Sequence, residues 1–292
     1  DRTKENGDIA PLAQDVLSSL YERKSNIKVL HGRYGLGGKD FAPSDVRAIV
    51  NNMTTAKKTN FTVGIIDDLT NLNLPCENYN LPLNGKSIKI FGLGSDGTVS
   101  ASKSTVKILG ENYDQNIQGY FEYDSKKSGS LTISHLRISK EPIKSEYLVN
   151  EADVIEINNF SFVHKYDCLD GLKENGIVLI NSIFSPEEVG KVLPRKYCQI
   201  LKDKHAKLFV INAQKIANVC GLGEKINIIM MSALFKGANL LSQNEICDNI
   251  SKYINSMFAQ KGQDVVDKNL KAMKLGLGIN EVNVQTLEGQ GG

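Results

Sequence analysis

Residues 87–98 read Ser87-Ile88-Lys89-Ile90-Phe91-Gly92-Leu93-Gly94-Ser95-Asp96-Gly97-Thr98. The first five predict a strand. Glycines 92, 94 and 97 follow at once, and the apolar spacing beyond them predicts a helix to about Leu109. Strand, glycine loop and helix in that order indicate an α/β fold. Glycines let the backbone approach a bound group closely, and the free N–H groups of a helix start point at an anion. In a dinucleotide-binding domain such a loop holds the pyrophosphate. Two features weigh against a nicotinamide dinucleotide. Asp96 puts a negative charge inside the loop, and no acidic residue ends a second strand at the distance where a ribose partner would sit, Glu122 and Asp124 coming late. On the motif alone, a tight strand–helix turn that binds nothing is as good a reading.

Beyond residue 98 the pattern continues. Gly119–Tyr123, Ser130–Ile138, Val154–Ile157, Gly176–Asn181 and Lys207–Asn212 read as strands separated by helical stretches, and the alternation slips near His135. Strands alternating with helices indicate a mostly parallel sheet covered on both faces. Ile226–Phe235, Asn244–Phe258 and Asp264–Lys274 have apolar residues three or four apart and predict helices. Before residue 87, Pro11–Glu22 predicts a helix and Ile27–Leu30 a strand running into a glycine-rich turn, Gly32–Lys39. Ser44 then reads as the N-cap of a helix over 45–52, and Phe61–Ile66 as another strand. The polar stretch Leu74–Gly85, with two prolines, reads as a linker. Two α/β units follow, residues 1–84 and 85–278, with 279–292 expected to be a flexible tail.

Composition is that of an ordinary globular protein: 292 residues, 41% hydrophobic and 23% charged, with a net charge of +2. So even a balance gives no field that would draw the whole chain onto nucleic acid or an anionic membrane. No apolar run approaches the roughly 18 residues of a membrane span. Five cysteines, Cys76, Cys168, Cys198, Cys220 and Cys247, are odd in number and nowhere form a Cys-x-x-Cys pair. That spacing argues against a disulfide framework, a structural zinc or an iron–sulfur cluster in this piece. The chain opens on Asp1 in a charged stretch, which reads as a cut inside a longer protein.

Three further segments have binding chemistry to weigh. Lys126 and Lys127, in Asp124–Gly129, suit a phosphate as mobile point charges, although a solvated charged turn is the commoner meaning of such a pair. Gly221-Leu222-Gly223-Glu224-Lys225-Ile226-Asn227 reads first as the glycine end of one helix before the next. The four histidines, His31, His135, His164 and His205, form no metal-binding spacing, and His135 reads as a satisfied core residue. No nucleophile elbow or Walker loop is present, so no catalytic constellation is expected.

Several of these segments, in order, resemble the pyruvate:ferredoxin oxidoreductases, a family of 2-oxo acid oxidoreductases. They are Gly32–Leu36, Phe61–Asp68, Phe91–Val99, Gly119–Gly129, Thr132–Arg137, Asn159–Val163 and Gly221–Gly223. The resemblance runs from about residue 1 to about residue 278. It implies an internal fragment: the end of a small transketolase-C-terminal-like α/β domain, then the larger gamma-type domain with its helical C-terminal region. It implies an enzyme that converts pyruvate and coenzyme A to acetyl-CoA and CO₂ and reduces ferredoxin, in anaerobic metabolism. Thiamine diphosphate and the [4Fe–4S] clusters would lie outside this piece, which would be inactive alone. A cytoplasmic setting, an organelle of an anaerobic eukaryote as the other option, a homodimeric parent, and ferredoxin or a fused reductase as electron acceptor are further implications.

The gamma-type domain of the family helps bind coenzyme A. The resemblance therefore implies one phosphate group on the backbone N–H groups of Gly94, Ser95, Asp96, Gly97 and Thr98 with the Ser95 and Thr98 hydroxyls. Another would lie on Lys126 and Lys127, with Lys225 and Asn227 as weaker contacts. Family members commonly carry arginine at the Lys225 position, so a bidentate contact would be lost here. Asp96 would act as a helix-start carboxylate. The competing readings are a stand-alone NAD-dependent dehydrogenase and a scaffold that binds no ligand.

Overall fold

A computed structural model describes residues 9–65, 68–113, 115–123 and 130–290, all but the side chain of Asn112. The chain divides into two compact units, one of residues 1–82 with 145–148, the other of residues 83–144 with 149–292.

The first unit holds helix α1 (Pro11–Glu22), strand β1 (Gly32–Arg33), a 3₁₀ turn at Leu36–Gly38, helix α2 (Pro43–Thr54) and strand β2 (Phe61–Thr62). β1 and β2 pair in parallel, Gly32 opposite Phe61. Gly32 is required there, since a Cβ on it would lie 2.3 Å from the Phe61 ring. Ala48, Phe61, Val63 and Leu74 form the core.

Three expectations need correcting in this unit. Residues 27–30 join no strand, and pairing begins at Gly32. β2 is shorter than expected because Gly64, at φ +76°, turns the chain; Ile66 and Asp67 lie outside the described residues. Ser44 is not the N-cap of α2. Pro43 takes the first helical position, where its missing N–H costs nothing. The Asp45 carboxylate reaches back to accept the Ala42 N–H at 2.9 Å.

The second unit is a seven-stranded sheet between two layers of helix. Its strands are β3 (Gly85–Leu93), β4 (Asn116–Tyr123), β5 (Leu131–Ser139), β6 (Ala152–Ile157), β7 (Leu172–Asn181), β8 (Lys207–Ile211) and β9 (Asn280–Val282). The spatial order is β4-β5-β3-β6-β7-β8-β9. β3, β6, β7 and β8 are mutually parallel, β5 is antiparallel to both β3 and β4, and β9 is antiparallel to β8. Five of the seven strands therefore point the same way, the mostly parallel α/β sheet that the sequence predicts.

The helices are α3 (Thr98–Asn112), α4 (Pro186–Val192), α5 (Arg195–Asp203), α6 (Ala213–Val219), α7 (Asn227–Gly237), α8 (Gln243–Phe258) and α9 (Gln263–Gly276). α3 and α6 to α9 pack on one face, against Ile88, Ile90, Val154 and Leu179. α4, α5 and the 3₁₀ turn Phe160–His164 pack on the other, against Phe91, Ile155, Ile157 and Val178. α7 is buried along nearly its whole length and so shows no polar side. Among the described residues no helix is long and apolar enough to cross a membrane.

The expected flexible tail is structured as far as Gln290. β9 adds to the sheet edge with Val282 opposite Leu208, and Leu287 is buried at 2% exposure. Gln290 then donates its N–H to the Leu193 carbonyl at 2.7 Å and accepts that of Arg195 at 3.1 Å. Gly291 and Gly292 lie outside the described residues.

Candidate functional site at the carboxyl ends of the parallel strands

In sequence β3 is followed by β4 and β5 on one side of it, and then by β6 on the other. The strand order thus reverses between β3 and β6, and ligands of open α/β sheets settle outside the carboxyl ends of the strands at such a point. The glycine loop lies there, between the end of β3 and the start of α3.

The loop is held mostly by its own atoms. Asp96 accepts the Leu93 N–H at 2.8 Å through Oδ2 and the Thr98 N–H at 2.7 Å through Oδ1. The Gly94 N–H donates to the Ser130 carbonyl at 2.7 Å, and that of Asp96 to Leu93 at 3.2 Å. Two glycines are consumed by packing. A Cβ on Gly92 would meet the Thr98 side chain at 2.4 Å, and one on Gly97, at φ +86°, would meet Asn227 Nδ2 at 2.1 Å. Ser95 is also left-handed, at φ +77°. Three of the five N–H groups from Gly94 to Thr98 are therefore committed, and the Thr98 hydroxyl accepts a hydrogen bond from Asn158 Nδ2 at 3.0 Å. The N–H groups of Ser95 and Gly97 have no partner among the described residues. The N-cap position of α3 is Gly97, which has no side chain to cap it, so that Asp96 alone reaches the helix start, at the Thr98 N–H. Of the five amides expected to form a cradle, those of Ser95 and Gly97 are left without a partner among the described residues, and the Asp96 carboxylate takes that of Thr98. Asp96 is the helix-start carboxylate that was expected.

The other sequence-derived residues divide. Asn227, the first residue of α7, lies against Gly97 and joins the loop. Lys225 is exposed. The Gly221 reading as a helix end holds: it is left-handed at φ +68° just after α6 and donates to Asn218. Lys126 and Lys127 lie outside the described residues. His135 is buried and satisfied. Its Nδ1 accepts the Val149 N–H at 3.2 Å, so its proton sits on Nε2, 2.6 Å from the Glu122 carboxylate.

Sequence reasoning missed the polar groups beneath the loop. Glu156, on β6 between Ile90 and Leu179, is 3% exposed, and its Oε2 has no hydrogen-bond partner among the described residues. Burial pushes its carboxyl up to about 8; hydrogen bonding to Asn158 lowers it, and the Asp96 charge raises it. Asn158, 6% exposed, leaves Oδ1 without a partner among the described residues while its amide nitrogen holds Thr98. Asn181 donates to the Asn158 carbonyl and accepts the Ala213 N–H, both at 3.0 Å, locking the ends of β6 and β7 to the start of α6. The signal for Glu156 was present in the sequence: one acid inside an apolar strand that is covered on both faces.

Such a site can receive an anion on backbone N–H groups at a helix start, above a base of uncharged polar groups and one carboxylate. Among the described residues no three His, Cys, Asp or Glu side chains converge on a metal position.

Comparison with known proteins gives this site a context. Residues 87–279 match the family model described as pyruvate ferredoxin/flavodoxin oxidoreductase. The chain is 45% identical over 277 residues to the pyruvate:ferredoxin oxidoreductase of Moorella thermoacetica, covering 94% of this chain and 24% of that protein. It is 39% identical over 282 residues to the pyruvate-flavodoxin oxidoreductase of Klebsiella pneumoniae, covering 95% and 24% respectively. The chain thus spans about a quarter of the length of these relatives. A pyruvate oxidoreductase subunit from Thermotoga maritima shares the fold, with a TM-score of 0.54 at 22% identity, over 68% of this chain and 99% of that subunit.

Proposed function

The chain belongs to the pyruvate ferredoxin/flavodoxin oxidoreductase family, and on that premise we propose that it supplies the coenzyme-A-binding wall of an enzyme that oxidatively decarboxylates pyruvate. The parent would release CO₂, pass two electrons to ferredoxin or flavodoxin, and transfer the acetyl group to the thiol of coenzyme A. This piece would hold phosphate oxygens of coenzyme A on the N–H groups of Ser95, Gly97, Val99 and Ser100. The Ser95 hydroxyl and the Asn227 amide would flank them, and Lys126 and Lys127 would supply charge. Lys225 would act at longer range. The observation that carries the reading is a helix start on a glycine loop, with the Ser95 and Gly97 N–H groups unpartnered among the described residues, at the point where the strand order reverses.

Thiamine diphosphate and the iron–sulfur clusters would be held by other parts of the parent. We assign those parts as partners, with a homodimeric parent working in the cytoplasm. Residues up to about 84 would belong to a transketolase-C-terminal-like domain and those beyond to a gamma-type domain. The piece alone would not turn over pyruvate.

The sheet argues against the dehydrogenase alternative. The strand beside β3 on the α3 side is β5, which is antiparallel. Its carboxyl end therefore lies at the opposite edge from the loop, and it cannot supply the ribose-binding acid of a dinucleotide site. The test is calorimetric titration of the chain with coenzyme A, dephospho-coenzyme A and NAD. Saturable binding of coenzyme A, weakened in the Lys126→Ala/Lys127→Ala double variant, is the expected result. Preferential NAD binding would restore the dehydrogenase, and no binding of any of the three would favour the scaffold.

A further inference from the structure

Glu156 lies beneath the glycine loop with a carboxyl oxygen, and Asn158 beside it with an amide oxygen, that have no hydrogen-bond partner among the described residues. Both are more than nine-tenths buried. Asn158 connects this pair to the start of α3 through its 3.0 Å hydrogen bond to the Thr98 hydroxyl. Leu179 on β7 lies opposite Glu156, Ser134 on β5 lies opposite Ile90, the other strand neighbour of Glu156, and Thr98 and Ser102 of α3 are buried. Asp96 is the charged group among the described residues that bears on Glu156. Among the described residues an ionised carboxylate here would have no cation beside it, and it would stand with Asp96 below any anion on the loop.

We propose that Glu156 is a positioning residue of this site, kept as the neutral acid. In that form its O–H would donate to the Asn158 amide oxygen, unpartnered among the described residues, while Asn158 holds Thr98 at the start of α3, so that an arriving anion does not meet a second carboxylate charge beside that of Asp96. The inference rests on the reading of the loop as a phosphate site and deepens it by assigning its control. Anion binding and protonation of Glu156 then favour each other. Coenzyme A bound above neutral pH brings a proton onto the Glu156 carboxylate, taken from solvent, and release returns it. The direction of the carboxyl shift agrees with the geometry, since burial disfavours the charged form.

The experiment is a coenzyme A titration of the 292-residue chain and its Glu156→Gln variant at several pH values from 6.5 to 9, with carbon-13 detection of the Glu156 carboxyl in the unmodified chain. Coenzyme A's own titrating groups act equally on both proteins. The affinity of the unmodified chain should fall about tenfold more between pH 7 and pH 9 than that of Glu156→Gln. The carboxyl should titrate at higher pH with coenzyme A bound than without. Equal pH profiles in the two proteins, or a carboxyl titration that ignores the ligand, would overturn the proposal while leaving the phosphate site standing. Absence of coenzyme A binding at every pH would remove the site and the proposal together. The carboxyl titration reports on the proposal even if Glu156→Gln folds poorly.

Discussion

Glu156 interrupts an otherwise apolar strand, Val154-Ile155-Glu156-Ile157, whose side chains are buried on both faces of the sheet. An acid there is tolerated because it is neutral, and that has a stability consequence of definite sign. Its folded-state value, about 8, lies above the ordinary 4.5. The folded chain therefore holds a proton that the unfolded chain has released between those two values. The contribution is fully present below pH 4.5 and is lost as pH rises through 8. Glu156→Gln should flatten the decline in unfolding free energy over this window, by on the order of a few kcal/mol, when urea melts are compared at pH 5 and pH 8. Parallel declines in the two proteins would contradict the buried neutral acid. Asp96 is a second residue-scale test. Asp96→Ala leaves the N–H groups of Leu93 and Thr98 without acceptors and should cost about 1–2 kcal/mol in the same assay. Gly97→Ala must place a Cβ against Asn227 at a left-handed backbone position. It should destabilise by at least about 1 kcal/mol, and Asn227→Ala in the same chain should restore part of the loss.

At the scale of elements, periodic signals were legible and pairing was not. The predicted helices 226–235, 244–258 and 264–274 match α7, α8 and α9 to within three residues at either end, because each carries three or more turns of regular apolar spacing or continuous burial. The slip seen near His135 has a physical cause. β5 lies inside the sheet with both faces covered, and Ser134 to Ser139 are all buried, so its residues need not alternate. β9 was invisible because three residues on a sheet edge leave no period to read, and their role depends on β8, some seventy positions earlier. The committed amides of the glycine loop were equally illegible, since they depend on the rotamer of Asp96 and on Ser130 across the sheet. The closing segment offers its own test. Leu287 is buried at 2% exposure among the side chains of the α4 and α5 face, so Leu287→Ala should cost about 2–4 kcal/mol in chemical denaturation. A loss near zero would mean that residues 279–290 are not packed on the sheet.

For the whole molecule, the division of labour follows from what each unit contains. The second unit has a continuous sheet, two apolar cores and the loop at its strand ends. The first has a two-stranded sheet and a small core. Family membership was legible from the order of short glycine-centred segments, whereas the polar base of the site emerged only when β6 was set beside β3. The central claim is that an anion of coenzyme A is received on the first amides of α3. It is tested most directly by amide nitrogen–proton spectra of the isotope-labelled chain during addition of coenzyme A. The account predicts that the largest shifts fall on Ser95, Gly97, Val99 and Ser100, with the Leu93 and Gly94 amides, already bonded within the fold, moving least among their neighbours. Shifts confined to other surfaces of the second unit, with residues 95–100 unmoved, would contradict it.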